Sequence, residues 1–357
     1  MLPKTSMIND MRTCGLFFIR GVEEVKRVCY ITAMNGIYIS PVGDGHYNLA
    51  ADEYLLELYR QGSMHGVTLY FYVNTNAVII GRNQNAWREC NIEKMRRDGV
   101  QLVRRHTGGG AVYHDSGNLN FSFITDEARY DKERQTQVIL NACKALGVDA
   151  QVSGRNDLTV NGRKFSGCAY ALIGRARGMH GTLLINTDFG RLSEYLNPSR
   201  MKLEAKGISS VRSRVMNLSE AADISVDHMI DAISEAFRNE YGETTPVRLT
   251  ENDESVIGRI AEKNSSWEWI FGRSPEFDVE LEKRFSFGEL QLKLKLRGGR
   301  ILKVYAYTDS LDTALPDELS ELLTGCPFAG EALEAALKRG DENACEIAEY
   351  IGSYGGL

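Results

Sequence analysis

Residues 104–123, RRHTGGGAVYHDSGNLNFSF, set Arg104, Arg105 and His106 just ahead of three consecutive glycines at 108–110. Glycine inside folded structure costs roughly 1 kcal/mol against alanine, so three in a row need a structural or chemical reason. Without a Cβ, backbone can approach a ligand closely and present bare N–H groups to an anion. Two guanidiniums beside such a loop add forked donors shaped for carboxylate or phosphate. The alternative is a tight hairpin whose arginines are solvated, and one short glycine motif does not separate the two. A second stretch, SGRNDLTVNGRKFSGCAY (153–170), places Lys164 after an N-G turn and before a break at Ser166 and Gly167. That lysine is either a charge delivered to a site or a solvated turn residue. Two more polar stretches follow. MHGTLLINTDF (179–189) puts Gly181 and Thr182 at the start of a strand, and YLNPSRMKLEAKGISSVRSRVMNL (195–218) is a basic connection.

Elements that could carry these residues are readable from periodicity. NGIYIS after Met34 is a strand, and 47–60 carries apolar residues at helical spacing. VTLYFYV (67–73) and AVIIGR (77–82) have few polar breaks, which predicts two central strands joined by an N-T-N turn. Asn91 caps a short helix running to Asp98, and VQLVRR leads as a strand into the glycine loop. A strand at 120–124, a helix over 133–146 stopped by Gly147, and a DLTV-NG-RKFSG hairpin come next. Strands at 169–173 and 182–186 complete a sheet of mixed direction, closed by an amphipathic helix over 226–241. After Pro246 the texture changes. A charged helix at about 251–263 leads to SSWEWIFG, three strands (277–287, 290–297, 300–307) and short terminal helices. Strands followed by helices make this a separate small α+β unit.

The chain of 357 residues exceeds one ordinary core, so two domains are expected: 34–246, then 247–357. Residues 1–33 are expected to be an extension outside the fold, because a good first strand begins only after Met34. Lys+Arg 42 against Asp+Glu 48 gives a net charge of −6, which argues against a nucleic-acid protein. Seven cysteines without a C-x-x-C pair read as reduced thiols of a cytoplasmic protein. No apolar run approaches the ~20 residues of a membrane span.

In order along the chain, IGRNQNAWRECN, RRHTGGGAVYHDSGN, RND…RKFSGCAY, HGTLLINTD, LNPSRMKLEAKGISSVRSRV and SSWEWIFG resemble the signature blocks of lipoate–protein ligases. The resemblance runs from about Met34 to the C-terminus. It implies an α+β fold: a mixed-sheet catalytic domain of biotin/lipoate ligase type with flanking helices, plus a small accessory domain. It also implies a two-step reaction. Lipoate's carboxylate attacks the α-phosphate of ATP, giving lipoyl-AMP and pyrophosphate. A lysine of a lipoyl-domain acceptor protein, or of the glycine-cleavage H protein, then takes the lipoyl group and releases AMP.

By resemblance, Lys164 bridges carboxylate and α-phosphate, and Arg105 holds the phosphate side. Backbone of Gly110, Ala111, Val112 and Tyr113 lines the nucleotide and lipoyl moieties. Gly167 and His114 border the lipoate tunnel, with a structural role for His114 left open. Mg2+ accompanies the phosphates, with Asp157 either its ligand or a residue ordering the hairpin. The chemistry agrees, because bringing a carboxylate against a polyphosphate needs pocket cations. One such pair at about 4 Å and an effective dielectric near 20 is worth about 4 kcal/mol before desolvation. Two positions depart from the family. His106 and Cys168 stand where serine is common, and Cys168 opens the alternative of acyl-thioester chemistry, as in octanoyltransferases. The rival enzyme is a lipoyl or octanoyl transferase using a preformed acyl donor. The non-enzymatic rival is a degenerate binder of lipoylated domains. A biotin ligase fits less well, since no basic DNA-binding unit precedes the domain.

Overall fold

Every residue of the strand Asn118–Asp126 (NLNFSFITD) is buried, yet its alternate residues differ in kind. Successive strand side chains point to opposite faces, so Leu119, Phe121 and Phe123 face one way while Asn118, Asn120 and Ser122 face the other. Neighbouring strands repeat the division. Val67, Leu69 and Phe71 join the apolar side, as do Met179 and Leu183. Tyr70 pairs with Ser122, which pairs with His180; Tyr72 pairs with Asn120, which pairs with Thr182. One face of this sheet therefore makes core, and the other holds polar groups away from water.

The structure, a computed structural model, describes residues 35–197, 215–271, 279–297 and 299–353. The expected extension at 1–33 and most of the basic connection lie outside these residues. The described strands are β1 (Asn35–Ile39), β2 (Val67–Tyr72), β3 (Asn76–Ile80), β4 (Gln101–Arg104), β5 (Val112–Asp115), β6 (Asn118–Asp126) and β7 (Gln151–Ser153). They continue with β8 (Asp157–Val160), β9 (Arg163–Ile173), β10 (Ala176–Leu184), β11 (Thr244–Pro246), β12 (Val279–Phe285), β13 (Gly288–Arg297) and β14 (Arg300–Thr308). Among the described residues they form three sheets. The largest has the order β11-β1-β2-β6-β10-β9-β8-β7, parallel at its β11-β1-β2 end and antiparallel elsewhere. The second, β4-β3-β5, carries the glycine loop between β4 and β5. The third, β12-β13-β14, belongs to the C-terminal unit. The mixed-sheet α+β architecture with a small C-terminal α+β unit is thus the one expected.

Local signals explain much of this. Asn161 and Gly162 adopt positive φ (51° and 76°), the geometry a two-residue type I′ hairpin between β8 and β9 demands. Asn91 caps Ile92–Arg97 by accepting from the Lys94 amide, and Ser225 caps Val226–Tyr241. Helices Lys132–Ala145 and Val226–Tyr241 cover the apolar face with Val138, Ile139, Ile233 and Phe237. Helix Gly45–Gln61 lies in a second core with Tyr70 and Tyr72, on the polar side.

Four expectations need correction. β2 and β3 do not pair with each other, because the chain leaves the large sheet at the N-T-N segment and starts the small one. Ser166 and Gly167 do not end a strand, since β9 runs through them for 11 residues and the irregularity is a bulge between Ser166 and Lys164. β10 begins at Ala176, well before Gly181, so His180 is a mid-strand residue. The helix Glu251–Ser265, expected with the accessory unit, packs instead on Gly45–Gln61. Its Ile257 is fully buried there, Glu254 accepts from the Tyr47 hydroxyl at 2.7 Å, and Lys263 pairs with Glu53 at 2.9 Å. The C-terminal core begins with residues of β12–β14 and the helices Leu315–Leu323, Gly330–Leu337 and Glu342–Ser353. Core membership therefore changes after Phe271. Phe123 sits fully buried against Phe121 and Phe237, at 5.9 and 6.0 Å between ring centroids. Phe123→Ala is expected to destabilise the catalytic unit by about 3–5 kcal/mol, read as a lower urea midpoint.

Candidate active site

The glycine loop is built on Arg105. Its backbone continues the β3–β4 ladder by donating to Ile80 O at 3.0 Å. Its guanidinium turns inward: Nε and Nη2 donate to Gly108 O at 3.1 and 2.7 Å, Nη2 to Gly110 O at 2.9 Å, and Nη1 to Ile79 O at 3.3 Å. Burial pushes its pKa down to about 10, which still leaves a cation at neutral pH. Arg105 was expected to hold the nucleotide or acyl phosphate side. Here its donors end on carbonyls, and it acts as a buried positive charge behind the loop. Arg104 is equally structural, donating to Gly81, Arg82 and Gln84 carbonyls and to Trp269 and Ile270 carbonyls. Trp269 returns a hydrogen bond from its indole N–H to Arg104 O at 3.0 Å.

Each glycine has a separate reason. Gly109 holds φ at 97°, and a Cβ there would meet Arg105 Nη2. A Cβ on Gly108 would lie 2.3 Å from Ser310 O, so the C-terminal unit rests directly on the loop. The Gly109 amide donates to that same Ser310 carbonyl at 3.0 Å, and the Thr308 amide donates to Asn83 O at 3.0 Å. Gly110 alone would turn a Cβ into open space. That marks the side of the loop where a ligand has access.

Facing the loop is the polar side of the large sheet. His180 on β10 approaches Asp52 Oδ2 through Nδ1 at 3.1 Å and the Thr107 hydroxyl through Nε2 at 2.7 Å. Burial acts to raise the Asp52 pKa, but hydrogen bonding and charge from His180 outweigh it and hold the carboxyl low. A parallel chain runs from the Tyr70 hydroxyl to Asn48 Oδ1 (3.1 Å), from Asn48 Nδ2 to Asn74 Oδ1 (2.9 Å), and from Asn74 Nδ2 to His114 Nδ1 (3.0 Å). His114 Nε2, His106 Nε2 and Asn118 Oδ1 are buried without a partner. Native interiors rarely leave such groups orphaned, and each costs about 1–3 kcal/mol, so a polar ligand between sheet and loop gives them a reason. His106 lies 6.1 Å from the His180 ring, and burial lowers its pKa.

Gly167, paired with Thr182 and Asp157, lies one row beyond Ala169 and His180, and a bulge between Ser166 and Lys164 brings Lys164, paired with Thr159, to the same face in the next row. Its Nζ meets Asp157 Oδ1 at 2.7 Å with both side chains about a third exposed (39% and 34%). A Cβ on Gly167 would come within 2.9 Å of that Nζ, so the glycine is what leaves the lysine room. Val215 pairs with Lys164, and Met216 donates to Lys164 O at 2.9 Å, so the basic connection rejoins the described chain beside the lysine. Cys168 is buried, and desolvation pushes its thiol up to about 12 despite the nearby Lys164 charge. A thiol so held is not a ready nucleophile, so nothing here favours acyl-thioester chemistry. Tyr113 points into a separate core beside Tyr195, leaving only its backbone and those of Ala111 and Val112 for a ligand. Asp52, Thr107 and His180 escaped the sequence reading. Their one signal was period-two alternation, which puts His180 on the same face as Thr182.

Comparison with known proteins fits this geometry. Residues 44–238 match the family described as Lipoyl protein ligase A/B catalytic domain, and residues 274–353 match Bacterial lipoate protein ligase C-terminus. P. falciparum LipL1 in complex with lipoate is 29% identical, with a TM-score of 0.78 covering 89% of this chain and 99% of its own. A bipartite lipoate protein ligase from Thermoplasma acidophilum, solved with its E2 lipoyl domain, is 31% identical (TM-score 0.61, 69% of this chain, 100% of its own). A lipoate-protein ligase A bound with ATP is 29% identical (TM-score 0.59, 67% and 99%). The chain belongs to the lipoate–protein ligase family.

His114 provides a test of the buried polar layer. Burial, then the charges of Arg105 and His180, lower its pKa from 6.5 to about 3. Between those values the unfolded chain binds a proton that the folded one refuses, so stability rises with pH across that window. One group contributes at most about 1.4 kcal/mol per pH unit. His114→Gln is expected to flatten the acid limb of stability against pH, measured by denaturant titration from pH 4 to 7.

Proposed function

We propose that this chain joins lipoate to ATP, forming lipoyl-AMP, and then transfers the lipoyl group to a lysine of an acceptor lipoyl domain. The observation that carries this reading is the pairing of Lys164 with Asp157 on the polar sheet face, where Asp157 lies one row from the histidine that touches the glycine loop. Relatives bound to lipoate, to ATP and with an E2 lipoyl domain support the substrate set. The glycine-cleavage H protein is the second proposed acceptor, and the cytoplasm the proposed compartment. No described helix is long and apolar enough to cross a membrane.

In the first step a lipoate carboxylate oxygen bonds to the α-phosphorus as the bond to the β-phosphate breaks, and pyrophosphate leaves. The Lys164 ammonium, freed toward the ligand by Gly167, stabilises charge growing between carboxylate and phosphate. Arg105 adds its field from behind the loop, and the loop backbone around Gly110 takes the ligand. In the second step the acceptor amine attacks the acyl carbon and AMP departs, the amine losing its proton.

Among the described residues no group of three or more His, Cys, Asp or Glu side chains could hold a metal ion. The single half-exposed carboxylate of Asp157 suits a Mg2+ that arrives on the phosphates and keeps most of its water. There Asp157 would hold the ion, which would neutralise phosphate charge.

Lys164→Ala is expected to lower lipoate-dependent ATP–pyrophosphate exchange by about 10²–10³-fold while near-ultraviolet circular dichroism stays that of the folded protein. Exchange near wild-type rate in that variant refutes the role given to Lys164. A wild-type protein without any exchange, yet able to transfer from preformed lipoyl-AMP, would make it a transferase.

A further inference from the structure

Thr107 opens the glycine loop and is anchored twice. Its carbonyl accepts from the Arg82 amide at 2.8 Å, which joins the loop to the 81–84 turn. Its hydroxyl meets His180 Nε2 at 2.7 Å, which joins the loop to the central sheet. Gly81 and Gly109 approach so closely here that a Cβ on Gly81 would lie 2.0 Å from Gly109 O. A small displacement of Thr107 therefore moves both loops together. What holds Thr107 is the ring of His180, and what orients that ring is Asp52, only 2% exposed on helix Gly45–Gln61.

We propose that Asp52 and His180 are positioning residues: Asp52 fixes the tautomer of His180, and His180 fixes Thr107 and with it the glycine loop. The inference rests on the ligase reading above for its kinetic arm only. A carboxylate can only accept, so Nδ1 of His180 carries the proton. When the ring is neutral, Nε2 is then an acceptor, and the Thr107 hydroxyl donates to it. An amide at position 52 can donate as well as accept, so it no longer dictates which ring nitrogen is protonated. Burying Asp52 and Thr107 at the two ends of the relay strengthens each link, because the local dielectric is lower than in water. The helix, β10 and the loop each supply one member, so the relay ties together three elements distant in sequence. None of the three need touch the reacting atoms. Their effect reaches the substrates through the position of loop backbone.

The test uses the full chain labelled with ¹⁵N-histidine. The chain has six histidines, and His180→Gln assigns the His180 resonances. Wild type is expected to show His180 protonated at Nδ1 alone, and Asp52→Asn to show a mixture of tautomers or the Nε2–H form. In ATP–pyrophosphate exchange, Asp52→Asn and Thr107→Val should each lower kcat/KM by about 10–100-fold, the range seen when an orienting partner of a functional histidine is lost. The loss should fall on lipoate and ATP alike, since one loop serves both. Thr107→Ser, which restores the hydroxyl, should recover most of the loss of Thr107→Val. An unchanged His180 tautomer in Asp52→Asn overturns the inference, and so does wild-type kcat/KM in Thr107→Val. A wild-type chain without exchange would defeat the ligase reading, while the tautomer measurement would still decide whether Asp52 sets His180.

Discussion

A sheet buried on both faces must satisfy two different layers with one set of strands, and the site follows from that constraint. β2, β6 and β10 meet it by alternation. Their odd-numbered residues, Leu69, Phe71, Phe121, Phe123 and Leu183 among them, build the main core against two helices. Their even-numbered residues, Tyr70, Tyr72, Asn120, Ser122, His180 and Thr182, line up in paired rows on the opposite face. A one-residue slip would exchange the two sets, so the apolar packing that stabilises the domain also fixes where the chemistry sits. Stability and site geometry are thereby one specification. The polar rows are kept from water by helix Gly45–Gln61 and the small sheet, and this shielding makes each charge and hydrogen bond count for more.

Charge is arranged within this layer at two depths. Arg105 is fully enclosed and committed to carbonyls, so it cannot travel with a substrate. In the proposed ligase its contribution would be a standing field that needs no rearrangement when an anion arrives. Lys164 is half-exposed, held by a single carboxylate, and can exchange that partner for a ligand at small cost. One cation is scaffold and the other is able to respond. The C-terminal unit lies against the first of them: Ser310 accepts from Gly109 and excludes any side chain at Gly108. The triple glycine thus serves a packing surface on one side and an open approach at Gly110 on the other.

Much of this was legible in the residues. The N-G hairpin, the cap at Asn91, the glycine loop and the separate C-terminal α+β unit all rest on local signals, and local signals survive folding. What could not be read depends on which sheet a strand joins and which way a side chain turns. AVIIGR is equally apolar in either sheet, so nothing in it announces that β3 leaves β2. Two adjacent arginines before a glycine loop suggest outward donors. Only the carbonyls of Gly108 and Gly110 closing back on Arg105 reveal the inward turn. Asp52 lies 128 residues from His180, and no spacing rule joins them. The helix after Pro246 is charged and looks independent. Its attachment through Ile257, Glu254 and Lys263 is visible only once Gly45–Gln61 is in place beside it.

Cys168 shows how position decides the meaning of a residue. A thiol four residues from Lys164 looks like a second nucleophile, and lysine charge does act to lower its pKa. Burial acts the other way and wins, because β9 turns Cys168 toward the apolar face shared with Phe121 and Phe165 while Gly167 beside it faces the ligand side. Alternation again makes the choice. For Cys168 to become a nucleophile it would have to leave the core, and a one-residue slip that exposed it would turn Gly167 and Lys164 toward the apolar side. The arrangement that gives Lys164 its room is the one that buries the thiol.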